Sequence, residues 1–196
     1  MGPSDYSDAI RPLFFKNGKH IPLTIAALGL AGEAGEVTGA FEEFAEEIPS
    51  VSTPEQADDL SKRFSEKLTL ELGDTLWYVA AILDTFGLDC SDVDDLLADF
   101  DGLEELHSQL AGFNPARLTA ALSMHAGLAA DLIKKSEWHG KTLDADELFA
   151  TLGNVVVVVG EIASRVQVGL GEVCAANVAK LAKRYPGGFV EGGGVR

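Results

Sequence analysis

Cysteine and basic residues are scarce in this chain, and each shortage argues against a class of protein. The 196 residues include only two cysteines, Cys90 and Cys174, which are too far apart for a Cys-x-x-Cys metal site and form no disulfide framework. Only 15 residues are Lys or Arg, against 31 Asp and Glu, and the net charge is −16. We therefore expect no nucleic-acid partner, because a phosphate backbone would be repelled by most of this surface.

Long uncharged runs are also missing. The most apolar run, Val155–Val159, is soon followed by Glu161 and Arg165, and no stretch of 18 residues lacks charge. This pattern fits neither a transmembrane helix nor a signal peptide. The sequence therefore predicts a soluble, cytoplasmic protein with no membrane partner.

Apolar residues make up 46% of the chain, which also contains 7 prolines and 21 glycines. This composition predicts one medium globular domain or two small ones, with a substantial core. The acidic residues are unevenly distributed. Residues 1–113 contain 23 acidic and 6 basic side chains, whereas residues 114–196 contain 8 and 9.

Helix-breaking residues cut the chain into long segments without strand-like alternation, which is the pattern of an all-α protein. After a short N-terminal piece that ends near Asn17-Gly18, Thr53–Gln56 supplies an N-cap, an N1 proline and a capping-box glutamine. Asn114 caps a further helix after a Gly-Phe-Asn-Pro break. The predicted helices cover approximately Leu23–Glu47, Pro54–Phe86, Asp92–Leu110, Pro115–Trp138, Asp144–Gln167 and Gly171–Arg184.

The valine run Val155–Val159 is the one place where a buried strand competes with a helix, since β-branched residues favour strands. No turn signal separates the run from its neighbours, and an isolated strand in a helical chain would lack a partner. We therefore assign the run to a helix.

An internal repeat favours a helical bundle. Leu72-Gly73-Asp74 matches Leu152-Gly153-Asn154 at an offset of 80, and Ala34–Val37 matches Ala126–Ala129 at an offset of 92. Each copy is too small to bury its own apolar face, so we expect the two to pack as a pseudo-symmetric bundle, or pseudo-dimer. The predicted units are 1–113 for an acidic repeat, 114–190 for a second repeat and 191–196 for a flexible tail.

Four acidic residues stand in apolar surroundings in the first repeat. Glu33 and Glu36 are three residues apart on one predicted helix, as Glu71 and Asp74 are on the next, so each pair points from one helix face. In a helical hairpin the four carboxylates would converge in the bundle interior, where their repulsion requires a cation. Oxygen ligands suit Mg²⁺, which keeps waters for a phosphate substrate. The sequence therefore predicts a metal site here.

The second repeat lacks this cluster. Its four aligned positions are occupied by His125, Leu128, Thr151 and Asn154. In the opposite sense, Glu42-Glu43 of the first repeat aligns with Lys134-Lys135 of the second. One acidic and one basic copy indicate a single site that takes metal ligands from the first repeat and polyanion-binding groups from the second.

These motifs resemble those of the MazG-like all-α nucleoside triphosphate pyrophosphohydrolases. That family's Glu-x-x-Glu and Glu-x-x-Asp signature is present as Glu33-Ala-Gly-Glu36 and Glu71-Leu-Gly-Asp74. A Lys-Lys-x-x-aromatic-His-Gly segment is present at 134–140, and a closing Asn-x-x-Lys-Leu-x-x-Arg-Tyr-Pro-x-Gly-Phe segment at 177–189. The resemblance extends from about residue 23 to residue 189.

The resemblance implies hydrolysis of a ribo- or deoxynucleoside triphosphate between its α and β phosphates, giving the monophosphate and pyrophosphate. Mg²⁺, or Mn²⁺ in its place, would be the cofactor. Glu33, Glu36, Glu71 and Asp74 would hold the metal, and Glu36 would accept the proton of the attacking water. The substrate-binding residues would be Lys134, Lys135, Trp138, His139, Asn177, Lys180 and Arg184.

Two features depart from an ordinary unit of this family. The acids lie in the first copy and the Lys and Asn-Lys-Arg elements in the second, as in a fused and diverged dimer. In addition, 34 residues separate Glu36 from Glu71, which is a long segment for the family. A monomeric pseudo-dimer and a homodimer both fit this pattern.

Three other classes of protein compete with this interpretation. A non-catalytic nucleotide or metal binder fits a half-degenerate repeat, although the intact acidic quartet argues against it. A ferritin-like di-iron oxidase needs two Glu-x-x-His motifs, and only Glu104–His107 qualifies. A purely structural bundle would not explain paired acids at matching places.

Overall fold

The structure, a computed structural model, describes residues 1–88 and 110–186. Within these ranges the chain is mostly α-helical, with one very small sheet, which confirms the all-α prediction. The elements, in chain order, are α1 (Pro3–Ile10), β1 (Phe15–Lys16), β2 (Lys19–His20), α2 (Leu23–Glu47), α3 (Pro54–Asp84), α4 (Pro115–His139), α5 (Ala145–Arg165) and α6 (Leu170–Arg184), with 3₁₀ turns at Arg11–Phe14 and Ile48–Ser50.

Side-chain caps explain where three of these helices begin. The Thr53 hydroxyl accepts the backbone N–H of Gln56 at 3.3 Å, which starts α3 with the predicted capping box. Asn114 accepts the N–H of Arg117 at 3.0 Å before α4, and Asp144 caps α5 in the same way. Each cap satisfies an N–H that has no partner within its helix.

The valine run lies within α5, as predicted, and Val155, Val157, Val158 and Val159 are buried. By length and composition alone this helix could cross a membrane, but 56% of its most apolar window is buried inside the protein. The core helix of a soluble protein shows the same pattern.

The N-terminal segment contains two elements that the sequence analysis did not resolve, α1 and a short hairpin. In the hairpin, Phe15 pairs with His20 and Lys16 with Lys19. The connecting residues Asn17 and Gly18 both have positive φ, 54° and 72°, which is what a type I′ turn requires.

The helices pack around one hydrophobic core. Helix α2 contacts both α3 and α4, α4 contacts α5, and α3 contacts α5 and α6. Helix α1 packs against α6, which brings the first and last described helices together. The core includes buried residues from both predicted repeats, such as Leu30 and Leu72 from the first and Leu122 and Leu152 from the second.

Some sequence-based predictions lie outside the described residues. These are the helix Asp92–Leu110 apart from its last residue, the Glu104–His107 motif, the Gly-Gly-Phe end of the closing motif and the flexible tail 191–196.

Candidate metal and nucleotide site

The acidic quartet lies on α2 and α3, which run antiparallel. Arg63 near the start of α3 pairs with Glu47 at the end of α2 at 2.8 Å, and Lys67 pairs with Glu43 one turn further along α3. Since the helices run in opposite directions, their central turns meet. The predicted acids stand at these central turns.

Three of the four predicted ligands come together. Carboxylate oxygens of Glu33, Glu36 and Glu71 all lie within 4.8 Å of one another, which is close enough to share one cation. Glu33 and Glu71 are partly buried, whereas Glu36 is exposed to solvent. Among the described residues this is the one such cluster of metal-ligating side chains.

The fourth acid, Asp74, is held by the last described helix. Asn177 donates from Nδ2 to one Asp74 carboxylate oxygen at 2.8 Å, and Lys180 forms an ion pair with the other. Asn177 is fully buried, and the Tyr6 hydroxyl donates to its Oδ1 at 2.9 Å. Tyr6 therefore fixes which way the Asn177 amide faces, and α1, α6 and α3 meet at this carboxylate.

Two glycines set the close spacing of the helices at the site. A Cβ on Gly29 would come within 2.1 Å of the Tyr78 ring, so α2 and α3 could not approach as they do with alanine there. A Cβ on Gly73 would lie 2.8 Å from Cβ of Asn177, which sets the spacing of α3 and α6. Both glycines allow a backbone approach that a side chain would block.

The site is strongly electronegative. Burial, followed by the negative charges of Asp74, Glu36 and Glu71, raises the pKa of Glu33 to about 7, and Lys180 opposes this effect. Burial also raises the pKa of Glu71 and of Tyr78. Desolvation and like-charge repulsion both favour the protonated acid. A divalent cation would relieve both.

The chemistry of the donors fits such a cation. The buried Oε2 of Glu33 has no hydrogen-bond partner in the part of the chain that the structure describes, and a cation would satisfy this acceptor. The surrounding donors are carboxylate oxygens, which Mg²⁺ and Mn²⁺ prefer to nitrogen or sulfur. Glu33, Glu36 and Glu71 would hold the ion, with Asp74 beside them.

A cavity of about 110 Å³ adjoins the acids. Glu33 lines it from α2, and Asp74, Trp77 and Tyr78 line it from α3. The remaining wall is the C-terminal end of α6, with Lys180, Leu181, Arg184 and the following Tyr185. Cationic and aromatic side chains therefore stand beside the carboxylates.

Four predicted substrate-binding residues do not line this cavity. Lys134 and Lys135 both form ion pairs with Asp131 on their own helix, α4. Trp138 is 83% exposed, and His139 at the end of α4 is also exposed. Of the seven predicted substrate-binding residues, the structure brings Lys180 and Arg184 to the cavity and Asn177 to Asp74.

Sequence analysis missed several residues at the site. Trp77 and Tyr78 follow Asp74 by three and four positions, a spacing that puts them on the same helix face and could have identified them. Tyr185 directly follows Arg184 in the closing motif. Tyr6 is 171 residues from Asn177, and no local pattern indicates their hydrogen bond.

The four aligned positions in α4 and α5 form no comparable cluster in the part of the chain that is described. Thr151 is buried and donates to the Glu147 carbonyl at 2.7 Å, within its own helix. Leu128 is 49% exposed, and burial lowers the pKa of His125, which favours its neutral form. These residues have little affinity for a hard cation.

Comparisons of this chain with protein-family models, with curated proteins and with solved structures find no match. The MazG-like resemblance therefore depends on the motifs alone.

Proposed function

We propose that this chain is a Mg²⁺-dependent nucleoside triphosphate pyrophosphohydrolase of the MazG-like type, which converts a (d)NTP to the (d)NMP and pyrophosphate. The observation that carries the proposal is the convergence of the Glu33, Glu36 and Glu71 carboxylates, in which the buried Oε2 of Glu33 has no partner among the described residues. The Asp74–Lys180 pair and the cavity beside it supply neighbouring groups for a phosphate chain.

In this proposal the acids have different tasks. Glu33 and Glu71, which are partly buried, act as ligands to the ion, which when bound neutralises phosphate charge and lowers the pKa of a coordinated water. Glu36 is exposed and can pass a proton to solvent, which supports its predicted role as the base. Asn177 and Lys180 each engage one carboxylate oxygen of Asp74 and so fix the position of this fourth acid.

Lys180 and Arg184 are the proposed phosphate-binding cations. Both line the cavity, and each can donate charge-assisted hydrogen bonds to phosphate oxygens. Lys134, Lys135, Trp138 and His139 stay predictions of substrate binding, since Lys134 and Lys135 would first have to leave Asp131. We further propose a cytoplasmic enzyme that acts as a monomeric pseudo-dimer or a homodimer, without nucleic-acid or membrane partners.

The test is pyrophosphate release from a panel of ribo- and deoxynucleoside triphosphates that includes dUTP and dGTP. Wild type and the Glu71→Gln variant are compared in Mg²⁺ and in excess chelator, and the nucleotide product is identified. We expect Mg²⁺-dependent release of pyrophosphate with the monophosphate as the second product, and loss of both in the variant. Release of inorganic phosphate, or turnover in chelator, would contradict the proposal.

A non-catalytic nucleotide or metal binder is the second candidate. The observation that favours it is that Asp74 is already neutralised by Lys180 and bonded by Asn177. Titration calorimetry with MgCl₂ and a triphosphate distinguishes the two functions: a binder takes up both ligands and returns the triphosphate intact.

A further inference from the structure

Trp77 carries a hydrogen-bond donor that nothing in the described structure uses. Its side chain is only 7% exposed, and its ring packs edge-on against Phe14 and Tyr78, with centroid separations of 5.2 and 4.9 Å. The indole Nε1 is closed to solvent and has no acceptor among residues 1–88 and 110–186. A buried tryptophan usually finds a partner for its N–H, so this exception requires an explanation.

The residue that carries the unused donor lines the candidate site. Two buried side-chain atoms lack partners among the described residues, Glu33 Oε2 and Trp77 Nε1, and both residues line the same 110 Å³ cavity. One is an acceptor that a cation would satisfy. The other is a donor that an acceptor atom of a bound ligand would satisfy. Lys180 and Arg184, which also line the cavity, have flexible side chains that can move to admit a ligand.

The surroundings of Trp77 favour a neutral acceptor. The aromatic rings of Phe14 and Tyr78 on the indole make desolvation of a charge costly. In a nucleoside triphosphate the strong neutral acceptors are the base carbonyls and the sugar hydroxyls, whereas the non-bridging phosphate oxygens are anionic.

We propose that the Trp77 indole N–H donates a hydrogen bond to a neutral oxygen of the bound nucleoside, which makes Trp77 a specificity-determining residue. This inference rests on the proposed function, since it assumes that a nucleotide occupies the cavity. The acceptor is a base carbonyl or the sugar 3′-hydroxyl. The two acceptors can be distinguished, because each predicts a different set of substrates whose turnover is unchanged when the N–H is removed.

The experiment compares wild type with Trp77→Phe, which keeps an aromatic ring and removes the donor. The substrates are dTTP, which has base carbonyls, dATP, which has none, and the 3′-deoxy analogue of each. We expect kcat/KM for dTTP to fall about tenfold, the size of one neutral hydrogen bond lost to a ligand. If the acceptor is a base carbonyl, dATP is unaffected; if it is the 3′-hydroxyl, both 3′-deoxy analogues are unaffected.

Phe14→Leu is the matched control, because it removes a ring packed on Trp77 and keeps the N–H. A packing change is expected to alter all four substrates by the same factor. If Trp77→Phe also changes all four equally, or changes none, the inference is wrong and a trapped water or simple packing explains the indole.

A direct readout avoids dependence on the variant's folding. The chain has two tryptophans, so an ¹⁵N–¹H spectrum of the wild type contains two indole signals. Addition of the non-cleavable α,β-methylene analogue of dTTP with Mg²⁺ is expected to shift the Trp77 indole proton downfield. Hydrolysis with an unmoved Trp77 signal overturns this inference alone, whereas binding with a moved signal but no hydrolysis overturns only the enzymatic proposal. Absence of any binding overturns both.

Discussion

Two helix pairs of one bundle, α2–α3 and α4–α5, carry different chemistry at positions that align in sequence. The first pair presents Glu33, Glu36 and Glu71 within 4.8 Å of one another, and its most buried acid has a pKa raised to about 7. At the aligned positions the second pair has a half-buried His125, an exposed Leu128 and a Thr151 bonded to its own helix. A helical hairpin can therefore carry either set of side chains. Only the α2–α3 pair bears the free-energy cost of clustered charge.

The packing of the two pairs differs in the same way. In the first, Gly29 makes room for the ring of Tyr78, which lines the cavity. In the second pair, Ala121 aligns with Gly29 and Val158 aligns with Tyr78. A methyl group therefore stands at the position of the glycine, and a small side chain at the position of the ring. The Tyr78 ring and the glycine opposite it thus occur together, in the helix pair that carries the acids.

The strongest test of this difference is to replace one carboxylate of the first pair and, separately, the residue at the aligned position of the second pair. Glu36→Gln is expected to lower kcat/KM about a hundredfold or more, because it removes both a ligand and the proposed base. Leu128→Gln, at the aligned position on α4, is expected to stay within about twofold of wild type. Steady-state pyrophosphate release measures both, and equal losses would show that the two pairs contribute alike.

The two helix pairs are also expected to differ in metal binding, which can be measured without turnover. Mg²⁺ at a hundred times its dissociation constant is expected to stabilise the wild type by about 2.7 kcal/mol, or roughly 5–10 °C in Tm. Glu71→Gln should reduce this shift, and Thr151→Val at the aligned position on α5 should retain it. Thermal unfolding with and without Mg²⁺ is the measurement. A full shift in Glu71→Gln would place the ion elsewhere.

Replacement of Gly29, the glycine of the first pair, is expected to give the next largest effect. Gly29→Ala is expected to lower the free energy of unfolding by about 1–3 kcal/mol, because the new Cβ collides with the Tyr78 ring. Gly32→Ala on the same helix meets open space and should raise it by up to about 1 kcal/mol through helix propensity. Urea unfolding of both variants tests the pair, and equal destabilisation would show that close packing at Gly29 is unimportant.

The last expected difference between the two pairs is a pair of opposite pH slopes. Because the pKa of Glu33 rises to about 7 on folding, its contribution to stability is greatest below pH 4.5 and is lost as pH rises through 7. Because burial lowers the pKa of His125, its contribution is lost as pH falls below 6.5. Glu33→Gln should flatten the first slope and His125→Gln the second, in Tm measured from pH 4 to 8 without Mg²⁺.

Much of the helical framework could be predicted because its signals are local. Helix α2 spans the predicted Leu23–Glu47, and the capping groups of Thr53 and Asn114 begin α3 and α4 where expected. Asn17-Gly18 was predicted only as the end of a short N-terminal piece, because strands of two residues each are too short to show alternation. The predicted Glu33–Glu36 and Glu71–Asp74 spacings likewise depend only on helical periodicity.

The contacts that organise the site could not be predicted in the same way. Lys180 and Asn177 could be chosen as site residues from a motif, but their pairing with Asp74 joins positions more than 100 residues apart. The Tyr6–Asn177 hydrogen bond joins the first helix to the last. Such contacts depend on how the helices pack, which a local sequence pattern does not reveal. In α4, for example, Lys134 and Lys135 were also chosen from a motif, but they form ion pairs with Asp131 and do not line the cavity.

The hold of α6 on Asp74 has a consequence for how the molecule is made. During synthesis α2 and α3 emerge about a hundred residues before Asn177 and Lys180, so the nascent hairpin carries its carboxylates without their cationic partner. The early hairpin is therefore under greater charge repulsion than the finished protein, and low salt should slow its consolidation. Docking of the last helix both completes the site and relieves that repulsion, which makes assembly of the site a late event of folding.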